Sequence, residues 1–331
     1  MSVRAPLRGA WRGRRLGALL MAGALCVTLP GAARAQGLPS GPLRLVVPLS
    51  AGGVSDVLAR LLAARLGERL GQPVTVENRP GAGGNIAIEH VARAAPDGQT
   101  MLMAPTMLVI NPTVSAARFD PLKDFAPVTL VGETPMTLVV SNRLQVASVE
   151  EFVALLRSSR AGLTCGSAGG LQTIACAMLR QHSKVEITEV PYRGGSQAMH
   201  DLVLGDIDVY FALGNTAAEY VGAGRARAIA STDSRSARAA AAGLPVLSAS
   251  LPGFVLMGWQ AVVMPAGTPR AVAGRLQQEL AAVLADPELR ARLVAMNVEP
   301  VGSTPEQLAK VLEADVQRFG RVAREAGLRR D

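Results

Sequence analysis

From Leu43 onward, short apolar runs alternate with longer stretches in which apolar residues recur every three or four positions. That alternation restricts the chain to the α/β class, with strands covered by intervening helices. Leu43-Arg44-Leu45-Val46-Val47 suits a buried strand, and Val57, Leu58, Leu61, Leu62, Leu66 and Leu70 then fall at helical spacing before Gly71. Further strands are predicted near Val74 to Val76, Thr100 to Met103, Thr137 to Val140, Leu163 to Cys165, Ile187 to Val190, Ile207 to Phe211, Ala226 to Ala230 and Val255 to Val263. The repeated order predicts mainly parallel sheets. Ser148 with Glu151 reads as a capping box, and Thr268-Pro269 and Thr304-Pro305 each place a cap residue before a proline at a helix start.

The first 35 residues carry a different signal. Arg4, Arg8, Arg12, Arg14 and Arg15 precede an apolar run from Leu16 to Leu29, which ends at Ala33-Arg34-Ala35. This is the order of a secretory leader, with cleavage expected after Ala35 and a periplasmic destination. Arg14-Arg15 leaves general and twin-arginine export both open. The leader holds six of the 34 Lys and Arg residues and none of the 26 acidic ones, so the remainder has 28 against 26, a net +2. The full chain's +8 is therefore no argument for nucleic-acid binding, and with aromatics at 3% there are few rings on which bases could stack. About 295 residues after the leader exceed one comfortable core and imply two lobes. The stretch from Arg235 to Pro252 is rich in Ala, Ser and Pro and reads as the approach to a crossover. The helical tail from Pro269 to Leu328 should return to the first lobe. The expected organisation is a leader over 1–35, a discontinuous first lobe over 36–140 plus 257–331, and a second lobe over 141–256.

Two glycine-bearing turns stand between a strand and a helix. Ser50-Ala51-Gly52-Gly53-Val54-Ser55-Asp56 follows the first strand, and Ser167-Ala168-Gly169-Gly170 is its counterpart in the second half. Each sets backbone N–H groups at a helix start beyond a strand's carboxyl end, which is a site for an anion. Two facing each other would grip a small carboxylate, although either alone also serves as a tight turn. No catalytic constellation appears: His90, His182 and His200 lack metal-ligand spacing, and both Cys165-Gly166-Ser167-Ala168-Gly169 and Gly194-Gly195-Ser196-Gln197-Ala198 miss the nucleophile elbow. Gly81-Ala82-Gly83-Gly84-Asn85-Ile86 fails the dinucleotide fingerprint and reads as a structural loop. No metal or cofactor is expected, and a secreted hydrolase acting through Ser167 is the remote alternative. Cys165 and Cys176 could pair in an oxidising compartment, but two separately buried thiols is the simpler expectation.

Longer motifs then give a resemblance. Val76-Glu77-Asn78-Arg79-Pro80-Gly81-Ala82-Gly83-Gly84-Asn85, Ala95-Pro96-Asp97-Gly98 and Asp120-Pro121-Leu122-Lys123-Asp124-Phe125-Ala126-Pro127-Val128 resemble the Bug, or TctC-like, receptors of tripartite tricarboxylate transporters. So do Val190-Pro191-Tyr192-Arg193-Gly194, Gly205-Asp206-Ile207-Asp208, Leu251-Pro252-Gly253-Phe254 and Pro265-Ala266-Gly267-Thr268-Pro269. The resemblance implies a type II periplasmic binding protein, a Venus flytrap whose two α/β lobes close at a hinge on a small organic acid. It implies a non-catalytic receptor that delivers its ligand to membrane permease subunits, with a sensor-kinase ectodomain as the alternative partner. Mapped by motif, it assigns the ligand to Gly52, Gly53, Ser55 and Asp56 on one side, to Ser167, Ala168 and Gly169 on the other, and to Asn111 and Asp208 lining the cleft. Asn111 before Pro112 could equally shape a turn, and Asp208 could equally be a strand-end residue. The family's second loop ordinarily continues with Asn, Gly and a hydroxyl, then a histidine three residues on. Here Gly170, Leu171, Gln172 and Ala175 stand at those positions, which shifts the expected ligand from a dicarboxylate such as malate or aspartate toward a monocarboxylate with an apolar or aromatic part.

Overall fold

The computed structural model describes residues 1–2, 37–158, 162–183, 185–233 and 243–328. The leader and its cleavage site, and the first part of the Arg235 to Pro252 stretch, lie outside the described residues. Residues 37–331 form one compact unit. Strand β1 (Leu43–Val47) runs parallel to β2 (Val74–Asn78) and β3 (Thr100–Pro105), with helices α1 (Val54–Leu70) and α2 (Asn85–Ala92) in the crossovers. After α3 (Met107–Val114) comes β4, a 16-residue strand from Phe125 to Val140. Helix α4 (Val149–Ser158), β5 (Leu163–Ser167), α5 (Gly170–His182), β6 (Ile187–Pro191), α6 (Gly195–Leu204), β7 (Val209–Leu213), α7 (Ala218–Gly222) and β8 (Arg227–Ser231) follow. The chain then passes through α8 (Leu247–Ser250) into β9 (Met257–Pro265), α9 (Arg270–Leu284), α10 (Pro287–Ala295), the short β10 (Glu299–Pro300) and α11 (Pro305–Glu325).

Two sheets result, and β4 belongs to both. Its residues Phe125 to Pro135 pair with β9 in the first sheet, and Met136 to Val140 pair with β7 and β8 in the second. The hydrogen-bonded order is β2-β1-β3-β9-β4-β7-β5-β6. The outer strands are parallel as the alternation predicts, but β3–β9, β4–β9, β4–β7 and β4–β8 are antiparallel. The expectation of mainly parallel sheets is corrected here. The long strand β4 crosses between layers instead of ending in a helix, and β9 returns beside it from the far end of the chain.

The periodic face of α1 places Leu58, Leu62 and Leu66 in a core with Leu45, Leu276 and Leu280, so α9 packs back on the first sheet. On the opposite face Ile88, Leu108, Leu312 and Phe319 join α2, α3 and α11 to a core that continues through Ile174, Phe211 and Phe254. Each fully buried leucine or phenylalanine of this kind contributes about 1.5–3 kcal/mol. The Thr304 capping box forms with Gln307. Ser148 Oγ accepts from the Glu151 N–H at 3.2 Å, while Glu151 reaches back to the Ala147 N–H, one residue earlier than a capping box requires. Thr268 does not cap: its hydroxyl donates to the Pro265 carbonyl at 2.8 Å, and Pro269 holds the cap position before Arg270.

A second correction concerns the cysteines, which are joined in a disulfide with Cα atoms 5.9 Å apart. The turn at Gly169 folds α5 back along β5, so the second turn of the helix lies over the strand end. Among the described residues, no helix is long and apolar enough to cross a membrane.

Candidate functional site

The carboxyl ends of β3, β5 and β7 and the hinge strands β4 and β9 surround one cavity of about 330 Å³. Ser55 lines it from α1, Ala168 and Gly169 from the turn before α5, Gly170, Leu171 and Gln172 from the first turn of α5, and Gly195 from α6. The first N–H groups of any helix have no intrahelical acceptor. Here α1, α5 and α6 begin after Gly53, Gly169 and Gly194, and none has a side-chain cap. Away from the cavity, α10 and α11 are capped by Asp286 and Thr304, while α2 and α9 have no side-chain cap. With α3, which also has no side-chain cap and whose Thr106 and Met107 line the cavity, four uncapped helix starts meet here, and their dipoles give it a positive potential. No Asp, Glu, Lys, Arg or His is among its lining residues.

Gly169 adopts φ 156° and ψ 170°, a region open essentially to glycine alone. The turn sets Gly170, Leu171 and Gln172, the first residues of α5, against the cavity. The Tyr210 hydroxyl is buried, which pushes its pKa up to about 12, a rise partly offset by the Gln172 side chain against it. At neutral pH the phenol therefore keeps its proton. Thr106 is committed to the frame: its Oγ1 accepts from the Trp259 N–H at 2.7 Å. The Trp259 indole in turn donates to Asp315 Oδ2 at 2.8 Å, fastening the hinge strand to α11.

The other residues assigned from the motifs are not among those that line the cavity. Asp56 faces its own loop, with Oδ2 accepting from the Gly52 N–H at 2.9 Å and from Arg60 Nε at 3.1 Å. Arg60 and the Gly52 N–H lower its pKa from 3.8 to about 2. Gly52, Gly53 and Asp56 therefore shape the turn that presents Ser55. Ser167 is buried at the end of β5, outside the cavity lining, where its carbonyl accepts from the Tyr192 N–H. Asn111 donates to the Gly83 carbonyl at 2.9 Å and Asn85 Oδ1 at 2.7 Å, tying the Gly81 to Asn85 loop to α3. Asp208 accepts from the Thr164 N–H at 2.8 Å and its hydroxyl at 2.9 Å, locking the entry of β7 to β5 at the end remote from Leu213. Asn111 and Asp208 do not line the cavity. Asn111 uses only its Nδ2 in these bonds, and its Oδ1 would lie 3.8 Å from a Cβ on Gly170, which does line the cavity.

Because the folded-state pKa of Asp56 is depressed, its contribution to stability is complete above about pH 4 and is lost as pH falls toward 2. Asp56→Asn should flatten that acid limb of the stability profile, measured by urea unfolding between pH 2 and 5. An unchanged limb would mean that the loop contacts carry no weight.

Sequence reading missed Gly195, Tyr210, Thr216, Thr134 and Gln260. Leu213 to Thr216 follow a strand's carboxyl end, so the strand-end rule could have found them. Gly194-Gly195 was weighed as a nucleophile elbow and not as a third helix start. Nothing local marks Thr134 or Gln260, because they reach the cavity through the crossing of β4 and β9.

The chain matches the family described as "Tripartite tricarboxylate transporter family receptor" over residues 58–328. It is similar to R. palustris Rpa4515, solved with adipate, at 31% identity and TM-score 0.76, covering 88% of this chain and 99% of that one. The periplasmic binding protein BugD is 28% identical with TM-score 0.74, covering 88% of this chain and 100% of that one. MatC from Rhodopseudomonas palustris, with bound malate, is 29% identical with TM-score 0.71, covering 86% of this chain and 100% of that one.

Proposed function

The chain belongs to the tripartite tricarboxylate transporter receptors, and from that premise we propose that it is an exported receptor that closes two lobes on a small carboxylate and presents it to the permease of such a transporter. The fold is that of the type II periplasmic binding proteins, and the family is one of receptors and not of enzymes. One observation carries the ligand class: four uncapped helix starts converge on a cavity with no charged side chain in its lining. An anion there is met by backbone N–H groups and hydroxyls, as it would be in a phosphate loop. The lobes are read as 36–140 plus 257–331 and 141–256, with β4 running from one sheet into the other before the boundary. Ser55 belongs to the first and Gly169 to the second, so a ligand touching both favours closure.

Trp259 is the one tryptophan after the leader and lines the cavity, so its fluorescence reports occupancy. Hexanoate, adipate and malate titrated against their amides should show at least one acid binding about 100-fold more tightly than its amide. That ratio corresponds to two charge-assisted hydrogen bonds at about 1.5 kcal/mol each. Equal binding of every acid and its amide would refute the anion site.

A further inference from the structure

The helix starts account for one end of a ligand, and the wall formed by the hinge strands bears on the other. Gly258 and Gln260 lie two residues apart on β9 and so project from the same face of the strand. A Cβ on Gly258 would lie 2.8 Å from Leu213 Cδ1 and 3.4 Å from Leu171 Cδ2, so the two leucines close over the strand where it lacks a side chain. With Met296 they make an apolar wall, and Leu171 is a residue at which this chain departs from the family's usual second loop. Beside them Gln260 Oε1 is buried and has no hydrogen-bond partner among the described residues.

An orphan acceptor of this kind costs free energy unless a ligand brings it a donor. A second carboxylate against the same wall would meet no cationic side chain in the lining and would bring a further acceptor, not a donor, to the buried Gln260 Oε1. A cationic amine would meet no acidic residue in the lining. What fits is a body that is apolar and an end that is neutral and donates.

Resting on the receptor reading above, we infer that the preferred ligand is a hydroxy monocarboxylate: its carboxylate lies at the starts of α1 and α5, its apolar body against Leu171 and Leu213, and its hydroxyl donates to Gln260 Oε1.

Calorimetry on the full mature chain with two matched series tests this: hexanoate, 6-hydroxyhexanoate and adipate, and benzoate, 4-hydroxybenzoate and terephthalate. Within the series that binds, the hydroxy acid should be tightest, by about tenfold over the plain acid, the size of one satisfied buried acceptor. Gln260→Leu should erase that tenfold, because the acceptor that separates the two acids is gone, and keep the melting temperature, since among the described residues Gln260 Oε1 makes no hydrogen bond. A dicarboxylate binding tightest, or a hydroxyl preference that survives Gln260→Leu, overturns the ligand class while leaving the receptor reading in place. Failure of all six acids to bind overturns the hydroxy-acid reading, while the anion site stands or falls on the comparison of acids with their amides.

Discussion

Gly169→Pro should abolish most ligand binding while the protein remains folded. Proline holds φ near −65°, whereas Gly169 sits at 156°, so the turn must refold and α5 can no longer direct its first N–H groups into the cavity. Losing two charge-assisted contacts corresponds to about 100-fold in affinity. The residue is exposed and its backbone N–H is not part of a strand ladder, so the melting temperature should change little. Gly169→Ala gives a milder version, because alanine in this region carries about 1–3 kcal/mol of strain without closing the ring. Calorimetry on both variants, with thermal melts as the control for folding, is the check. Affinity equal to that of the parent in both would place the ligand away from the start of α5.

Removing the disulfide should have the largest effect on stability. Cys165 and Cys176 are 11 residues apart and join the end of β5 to the second turn of α5, beneath the turn that presents Gly169. Closing a loop of that length stabilises by about 3 kcal/mol in the chain-entropy description. The double variant Cys165→Ser with Cys176→Ser should therefore melt roughly 5–10 °C lower. Ligand affinity should also fall, since the strand and helix that carry the turn are no longer tied. Parent protein melted in reductant should approach the variant. A variant that melts with the parent, or two thiols that alkylate freely in the oxidised unfolded parent, would show that the bond does not form.

The alternating runs exposed the class and most strands because each was a local pattern of burial. They gave β4 only its last residues, Thr137 to Val140, since Phe125 to Pro135 is broken by Pro127 and Pro135 and gains its pairing from β9, more than a hundred residues later. The same long-range crossing hid Thr134 and Gln260. Ser55, Ala168 and Gly169 were legible because a glycine turn before a helix is a local signature with a local cause. Asn111 and Asp208 were assigned by motif alone; Asn111 Nδ2 donates to Gly83 and Asn85, Asp208 accepts from Thr164, and neither residue is among those that line the cavity. The cysteine pair was undecidable from spacing, because only the fold of α5 along β5 brings the two Cα atoms within 5.9 Å.

A crystal structure of the mature protein grown with its tightest-binding acid bears most directly on the anion site. The expected result is a carboxylate with its oxygens about 2.7–3.2 Å from backbone N–H groups at the starts of both α1 and α5. A carboxylate bound to one lobe only, or turned toward Gln260 with the helix starts facing water, would contradict it.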